Sequence, residues 1–387
     1  MNNSKIGFRK MLPVFMSFIV MGFVDIVGVA TGFIKKDFGL TDDLAQLIPS
    51  MALFWFFVFS VPSGILQDKF GKKRMLNIGM LLTGLGMVIP FIHYSFPVML
   101  AAFIVLGIGN TIVQVSANPL LHDVSPREKY SSYMSLSQFI KAIVSLLGPI
   151  ITTLMAIKFG NWKLVFAVYA FTSAMAIIWL YLTQIEETKS SHGAVTFKSC
   201  LSLLKNKFLV VMVLGIFMLV GADVGMNANI ANFLQNQFGL TLERASLGIS
   251  LYFTALMIGR FSGAIILNWI SARIFLLITS VVAFISLVGM MLAPSLLVVQ
   301  VAIFMVGIGS ANLFPLFFSI ALEKMPDRAN EVSGLMIMAV SGGAFLPPVI
   351  GMISTNFGVK ASFSVLVVAM IYIVGAGVYS LKTIRGK

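Results

Sequence analysis

The sequence predicts an all-α membrane protein with twelve transmembrane helices. Hydrophobic residues make up 58% of the chain and charged residues only 11%, whereas a soluble domain carries about 25% charged residues. The apolar residues form twelve runs of roughly 20 residues, the length that an α-helix needs to cross a bilayer. Lys and Arg residues gather in alternate segments between these runs, as they do in proteins that cross a membrane repeatedly.

The twelve predicted spans form two sets of six. The first set covers approximately residues 12–34, 45–67, 75–93, 97–121, 131–157 and 162–184, and the second covers 208–234, 243–268, 273–292, 296–322, 330–356 and 360–382. The longest polar stretch separates the two sets. We therefore predict an N-terminal six-helix bundle at 1–184, a cytoplasmic linker at 185–207 and a C-terminal six-helix bundle at 208–387.

The distribution of basic residues predicts the orientation of the chain. With both termini in the cytoplasm, the inner segments carry 19 of the 27 Lys and Arg residues and the outer segments carry six. Cytoplasmic loops are enriched in these residues. The remaining two, Lys141 and Arg260, fall inside predicted spans. No small-residue cleavage site follows the first apolar run, so this run is predicted to be a retained helix of a multi-pass protein in the bacterial inner membrane.

Several functional classes do not fit the composition. The net charge is +13, but the basic residues are spread over loops and form no single patch, so no nucleic-acid partner is expected. Cys200 is the only cysteine, and the three His residues lie in loops or near span ends without metal-ligand spacing. We expect no metal and no cofactor. Neither a P-loop nor an H-E-x-x-H motif is present, so the protein is predicted not to be an enzyme.

An internal repeat relates the two sets of spans. Segments of the first half recur in the second at an offset of 199 or 200 residues: Phe38–Thr41 with Phe238–Thr241, Gly107–Gly109 with Gly307–Gly309, Ser63-Gly64 with Ser262-Gly263, and Arg74 with Arg273. Because six spans separate the copies, both halves have the same orientation, which makes this a parallel repeat. Gly148-Pro149 and Pro347-Pro348 lie near the same offset and predict matched helix interruptions in spans 5 and 11.

The loop after span 2 has a distinctive order of glycine, acidic and basic residues. The residues that form this pattern are Gly64, Asp68, Gly71, Lys72, Lys73 and Arg74. Gly71 permits a tight turn between two helices, and Asp68 can meet a helix N-terminus or an Arg of a neighbouring helix. The pattern resembles the loop signature G-x-L-x-D-R-x-G-R-K-x of the major facilitators. This resemblance implies two six-helix bundles and a gating loop that holds one conformation closed on the cytoplasmic side.

Polar residues form a stripe along one face of span 4. Asn110, Gln114 and Asn118 are each one helical turn apart and therefore share a face. With the A-N-P sequence around Asn118 and with Gln138 in span 5, this region resembles the fucose–hexose permease branch of the major facilitators. That branch carries E-x-x-A-N-P in its fourth helix, and its Glu falls on Gln114. The resemblance implies that the amides of the stripe and of Gln138 contact a solute.

Charged residues inside the spans are further functional candidates, because an intramembrane ion is costly. Asp25 lies in span 1 and Asp223 in span 7. Lys141, where the permeases have Asn, differs in depth from Asp25 by only ~5 Å and is its expected partner. The proton-coupling candidates are Asp25, Lys141 and Asp223, and the second half adds Asn227 and Asn312 as candidate solute ligands. The role of Arg260 stays open between structure and function.

The resemblance implies a secondary active transporter that moves a small polar solute, best matched by a monosaccharide, with protons and by alternating access. One alternative is a transporter of an acidic sugar or other organic anion, favoured if Lys141 and Arg260 face the solute unpaired. Another is a drug or metabolite exporter, which predicts few amides. The expected partners are the solute, a proton and the lipid bilayer, and the protein is expected to be a monomer. The solute, the stoichiometry and the choice between symport, antiport and uniport stay open.

The predicted topology can be tested by thiol labelling. Lys36→Cys, Lys163→Cys and Lys360→Cys, each in a Cys200→Ser background, should react with an impermeant reagent added to intact cells, because these positions lie in outer loops. Lys205→Cys, in the predicted inner linker, is the control and should react only after permeabilisation. Labelling of the three outer positions from the cytoplasmic side alone would contradict the orientation.

Overall fold

The protein is described by a computed structural model that covers residues 8–40, 44, 47–188, 196–240 and 242–385. Regular structure in this part of the chain is helical throughout. Twelve helical stretches within it are long and apolar enough to cross a membrane. The predicted number of spans is therefore confirmed, and the chain is a multi-pass membrane protein.

Nine spans consist of one α-helix each, and three consist of two helices with a break between them. In chain order the helices of spans 1 to 6 are Phe8–Met21 with Val27–Phe38, Leu47–Phe70, Lys72–Ile92, Phe96–Val124, Tyr130–Phe159 and Leu164–Leu182. After the short helix Phe197–Leu203, those of spans 7 to 12 are Lys207–Phe238, Leu242–Ile266, Ala272–Met291, Leu296–Ser310 with Leu313–Lys324, Ala329–Met338 with Gly342–Phe357, and Val359–Arg385.

The breaks lie in spans 1, 10 and 11. Span 1 changes to a 3₁₀ helix at Gly22–Ile26, and span 11 does so at Ala339–Ser341. Both proline sites lie within α-helices, because span 5 continues through Pro149 and span 11 breaks before Pro347, and the predicted kinks at these sites stay a prediction. A membrane helix can retain a proline when its surroundings satisfy the freed backbone carbonyl.

Two compact units make up the chain. The first comprises residues 1–130, 137–201 and 325–338, and the second comprises 131–136, 202–324 and 339–387. The beginning of span 5 thus groups with the second unit, and the first half of span 11 groups with the first. In span 11 the boundary coincides with the 3₁₀ segment that starts at Ala339. The predicted bundle boundaries at 184 and 208 stay a prediction.

Glycines of span 4 set the packing of the first unit. A Cβ atom on Gly107 would lie 2.4 Å from the carbonyl oxygen of Ala52 in span 2, and one on Gly109 would lie 2.5 Å from the backbone nitrogen of Thr83 in span 3. Lipid tails are as apolar as Leu, so association of membrane helices depends on close packing and favours small residues at the contacts. Span 4 therefore approaches spans 2 and 3 through its glycines.

The second unit repeats these contacts at the offset found in the sequence. A Cβ atom on Gly307 of span 10 would lie 2.8 Å from the carbonyl oxygen of Tyr252 in span 8, and one on Gly309 would lie 2.5 Å from the backbone nitrogen of Ala283 in span 9. Each residue in these two contacts is 200 positions after its counterpart in the first unit. The repeat thus extends from the sequence to the packing within each unit.

A stability measurement tests these contacts. Gly109→Val and Gly309→Val should each lower the free energy of unfolding by about 1–3 kcal/mol, because the added side chain forces neighbouring backbone apart. Gly289→Val in span 9 is the matched control, since a Cβ atom there meets nothing within 4 Å. Thermal unfolding of the detergent-purified variants measures the effect, and equal midpoints for all three variants would contradict the packing.

Candidate functional site

Asp25 lies in the 3₁₀ segment that interrupts span 1. The Nζ atom of Lys141 in span 5 is 4.0 Å from Asp25 Oδ2, and the side chains are 20% and 38% exposed, respectively. Ser145, one turn after Lys141, donates a hydrogen bond from Oγ to the same carboxylate oxygen. The structure thus brings together the acid and the base that the sequence paired, and adds a hydroxyl donor to them.

Gly22 allows span 1 to approach span 5 at this point. A Cβ atom on Gly22 would lie 3.0 Å from Cβ of Val144 and 3.1 Å from the carbonyl oxygen of Lys141. A larger residue would push the two backbones apart. The short distance between Asp25 and Lys141 therefore depends on a glycine three residues before the acid.

The polar stripe of span 4 supports the same break. Asn110 is fully buried and donates from Nδ2 to the carbonyl oxygens of Met21, at 3.0 Å, and Val20, at 3.4 Å. Gln114 donates from Nε2 to Asn110 Oδ1 at 3.0 Å. The helix Phe8–Met21 ends at these carbonyls, where α-helical donors are lost. The two amides therefore stabilise the segment that carries Asp25, and their predicted contact with a solute stays a prediction.

The remaining candidates of the first unit differ in their hydrogen bonding. Asn118 is buried and donates to the carbonyl oxygen of Gln114 in its own helix at 2.9 Å. Gln138 is only 5% exposed, and its Nε2 has no hydrogen-bond partner among the described residues. A buried amide donor without a partner costs free energy. The Asn118 side-chain oxygen likewise has no partner among the described residues, so Gln138 offers an unused donor and Asn118 an unused acceptor for a polar ligand.

Asp223 is the acid of the second unit and lies at the middle of the 32-residue helix of span 7. It is half-buried. Tyr252 of span 8 donates from its hydroxyl to Asp223 Oδ1 at 2.5 Å, and the tyrosine is only 1% exposed. Asn227, one turn after Asp223, is also half-buried. Asp223 and Asn227 thus stay close, as their spacing predicts.

Arg260 and Asn312 join span 8 to the break in span 10. Arg260 donates from Nε to the carbonyl oxygen of Ala311 at 3.4 Å, and Asn312 donates from Nδ2 to the carbonyl oxygen of Gly259 at 2.7 Å. A Cβ atom on Gly263 would meet the Asn312 amide at 2.3 Å. These contacts give both residues a packing role, and the predicted contact of Asn312 with a solute stays a prediction.

Within the first unit, the end of the span 2 helix, with Gly64 and Asp68, contacts the beginning of span 11. Asp68 Oδ1 accepts a hydrogen bond from Asn330 Nδ2 at 3.2 Å. A Cβ atom on Gly64 would lie 2.7 Å from the carbonyl oxygen of Asn330, so only glycine allows this approach. Ser333 donates to the carbonyl oxygen of Val115 in span 4 at 2.6 Å. Asp68 thus contacts a side chain in the first turn of the helix Ala329–Met338, and its expected contact with a helix N-terminus or an Arg stays a prediction.

The basic part of the loop is held by acids from elsewhere in the first unit. Gly71 has a φ of +88°, a conformation that favours glycine. Glu187 accepts hydrogen bonds from the backbone nitrogens of Lys72, at 2.5 Å, and Lys73, at 3.1 Å. A carboxylate at a helix N-terminus is stabilising. The Nζ atom of Lys72 forms a buried ion pair with Asp123 Oδ2 at 2.6 Å.

The last two basic residues of the loop have local contacts. Lys73 Nζ donates to the carbonyl oxygen of Tyr181 at 3.0 Å. The guanidinium carbon of Arg74 is 5.7 Å from the ring centre of Phe70. These contacts connect the loop to the end of span 6 and to span 2.

The short helix after span 6 also contacts the beginning of span 11. Arg328 donates to the carbonyl oxygen of Ser199 at 2.8 Å and forms an ion pair with Glu331 at 2.9 Å. Cys200 is buried beside them. Burial, together with the nearby Glu331 carboxylate, raises the pKa of the Cys200 thiol to about 11. The native thiol is therefore poorly reactive at neutral pH.

Sequence reasoning missed several residues that these contacts involve, and five of them adjoin a predicted site residue. Ser145 could have been found, because it lies one turn after Lys141 on the same helix. The others belong to segments far along the chain from their partners and had no local signal: Tyr252, Asp123, Glu187 and Asn330.

Comparisons with known proteins agree with this architecture. The family model of the Major Facilitator Superfamily matches residues 14–348. A curated relative from Brucella abortus, named a glucose/galactose transporter, is 25% identical over 384 residues, which cover 95% of this chain and 92% of the relative.

Two solved structures have the same fold. The Escherichia coli fucose:proton symporter superposes with a TM-score of 0.83 at 17% identity, covering 96% of this chain and 99% of that one. A proton:xylose symporter superposes with a TM-score of 0.76 at 13% identity, covering 99% and 96%. At these identities the likeness shows the fold alone. Because the family model covers most of the sequence, the chain belongs to the Major Facilitator Superfamily.

Proposed function

We propose that the protein is a secondary active transporter that moves a neutral monosaccharide together with protons by alternating access. The observation that carries this proposal is the Asp25–Lys141–Ser145 cluster, a titratable carboxylate in a break of a membrane-spanning helix. Discontinuous helices are a common place for coupling-ion and substrate sites in transporters. The relatives named as glucose/galactose, fucose:proton and proton:xylose transporters support this function.

Asp25 is proposed to carry the coupling proton. Its carboxylate faces the ammonium group of Lys141 and accepts a hydrogen bond from Ser145. A movement of span 5 relative to span 1 would weaken both contacts and favour protonation of Asp25. Gln114, where the permeases have Glu, cannot titrate. In the first unit Asp25 is therefore the acid that we assign to coupling.

Gln138 and Asn227 are proposed to contact hydroxyl groups of the solute. Gln138 offers a buried amide donor without a partner among the described residues, and it lies one turn before Lys141. Asn227 is half-buried one turn after Asp223. Asn110, Gln114, Asn118 and Asn312 are proposed to shape the site through the helices they hold. A sugar requires such amide partners more than an apolar drug does, which counts against a drug exporter.

The organic-anion alternative is less well supported. It requires a cation available to the solute, and Lys141 instead faces the carboxylate of Asp25 at 4.0 Å. Arg260 contacts the backbone at the break of span 10. A neutral solute therefore fits the charges of both units better than an acidic sugar does.

The proposed location is the bacterial inner membrane, with both termini in the cytoplasm and the protein acting as a monomer. The excess of Lys and Arg in alternate loops supports this orientation. The contacts of Asp68 and Gly64 with Asn330 would then lie at the cytoplasmic ends of spans 2 and 11. We propose that these contacts close that end during part of the transport cycle.

Uptake into proteoliposomes tests the proposed function. With an imposed proton gradient, the reconstituted protein should accumulate labelled D-glucose or D-galactose above the external concentration, and glucuronate should compete poorly. Accumulation that is indifferent to the proton gradient would contradict coupling. Preferential transport of glucuronate would favour the organic-anion alternative.

Asp25→Asn should abolish proton-driven accumulation, because an amide cannot take up the coupling proton, while counterflow should partly survive. Lys141→Ala should shift the pH optimum of accumulation upward, since an unpaired carboxylate binds a proton more readily. Asp37→Asn is the matched control: this acid of the same span accepts hydrogen bonds from Tyr94 and Trp162 at the far end of the helix. Normal accumulation and pH response in Asp25→Asn would place coupling elsewhere.

Asp68→Asn should lower the transport rate by about tenfold, because a charge-assisted hydrogen bond contributes roughly 1.5–3 kcal/mol, while solute binding stays largely intact. Asn330→Ala should have the same effect, since it removes the partner. Asn356→Ala, at the other end of span 11, is the control because its amide donates to the carbonyl oxygen of Met352 within its own helix. A proportional loss of binding and rate would exclude a gating role for Asp68.

A further inference from the structure

Asp223 and Asp25 have partners of different chemistry. Asp25 is paired with a lysine of another span, a contact that can open when helices move. Asp223 accepts a hydrogen bond from the phenol of Tyr252 at 2.5 Å. The phenol is a directional donor, which fixes one lone pair of the Asp223 carboxylate and leaves its other acceptor sites to further donors.

Tyr252 is held firmly by its surroundings. The residue is 1% exposed, and its ring and backbone lie against Gly307 of span 10, where a Cβ atom would come within 3.3 Å of the ring. The equivalent position of the first half is Ala52, which meets Gly107 in the same way. The second half therefore has a tyrosine where the first half has only a methyl group, and its hydroxyl is aimed at span 7.

Arg260 adds a positive charge on the same helix. It lies two turns after Tyr252, and a helical side chain points back toward the N-terminus of its helix, in this case toward Tyr252. Arg side chains stay protonated in proteins. A phenol donor and a cation on the same helix thus both suit Asp223 to accepting hydrogen bonds.

We infer that Asp223 accepts hydrogen bonds from hydroxyl groups of the sugar, and that Tyr252 is a positioning residue that orients this carboxylate. Asp223 is half-buried at the middle of its span, with the Asn227 amide one turn away. A carboxylate beside an amide can bind two neighbouring hydroxyls of a neutral monosaccharide. This inference rests on the proposed function, and it assigns Asp223 to the solute rather than to the proton.

Counterflow in proteoliposomes separates these roles, because it needs no net proton movement. The probes are labelled D-galactose and D-glucose, with their monodeoxy analogues as competitors. Asp223→Asn should weaken the apparent affinity for the parent sugar about tenfold or more, the effect of losing a hydrogen bond to a charged group. The affinity for one deoxy analogue, which lacks the hydroxyl that Asp223 binds, should be the same in the variant as in the wild type.

Tyr252→Phe should weaken the affinity about threefold to tenfold, with the same analogue unaffected. A merely structural role would weaken binding of all analogues alike. Tyr372→Phe is the matched control: it removes another tyrosine hydroxyl of the second unit, which donates to the carbonyl oxygen of Val211. Its affinities should equal those of the wild type.

Equal affinities in wild type and Asp223→Asn, or a loss shared by every analogue, would overturn the inference alone. If Asp223→Asn does not fold, Tyr252→Phe decides by the same criteria. A wild-type protein that exchanges neither sugar would overturn the proposed function together with the inference. Intact counterflow with lost accumulation in Asp223→Asn would assign Asp223 to the proton instead.

Discussion

The break in span 1 depends on one hydrogen-bonding constraint. Within the hydrocarbon core no water is available, so each backbone polar group must find a partner in the protein. Where the first helix ends at Met21, Asn110 donates to its carbonyl oxygen and Gln114 donates to Asn110. The break can therefore persist inside the membrane, and Asp25 keeps a defined position next to span 5.

The same constraint applies to the second unit, where the break of span 10 is held by span 8. Arg260 donates to the carbonyl oxygen of Ala311, and Asn312 donates back to Gly259. Polar side chains within the spans thus stabilise the helix breaks by donating to backbone carbonyls.

The two halves share their packing and differ in their acids. Gly107 and Gly307 make equivalent contacts, and so do Gly109 and Gly309. Within this repeated helix packing, Asp25 of the first half lies beside a lysine, and Asp223 of the second half lies beside a tyrosine. A lysine contact can be exchanged for a proton when helices move, whereas a phenol held against a glycine keeps its direction. In our proposals the same packing therefore holds Asp25 for the proton and Asp223 for a sugar hydroxyl.

The sequence by itself determined the number of spans, their predicted orientation, the repeat and the family, because hydrophobic length, charge placement and spacing are local properties. It also paired Asp25 with Lys141, since depth can be counted along two helices. Tertiary structure alone decided that Asn110 faces the carbonyls of span 1, that Tyr252 reaches Asp223, and that Asn330 meets Asp68. The last two contacts join residues 29 and 262 positions apart. These contacts form only when the helices have the right rotation and distance. Glycine contacts set that distance, and the order of residues along the chain does not contain it.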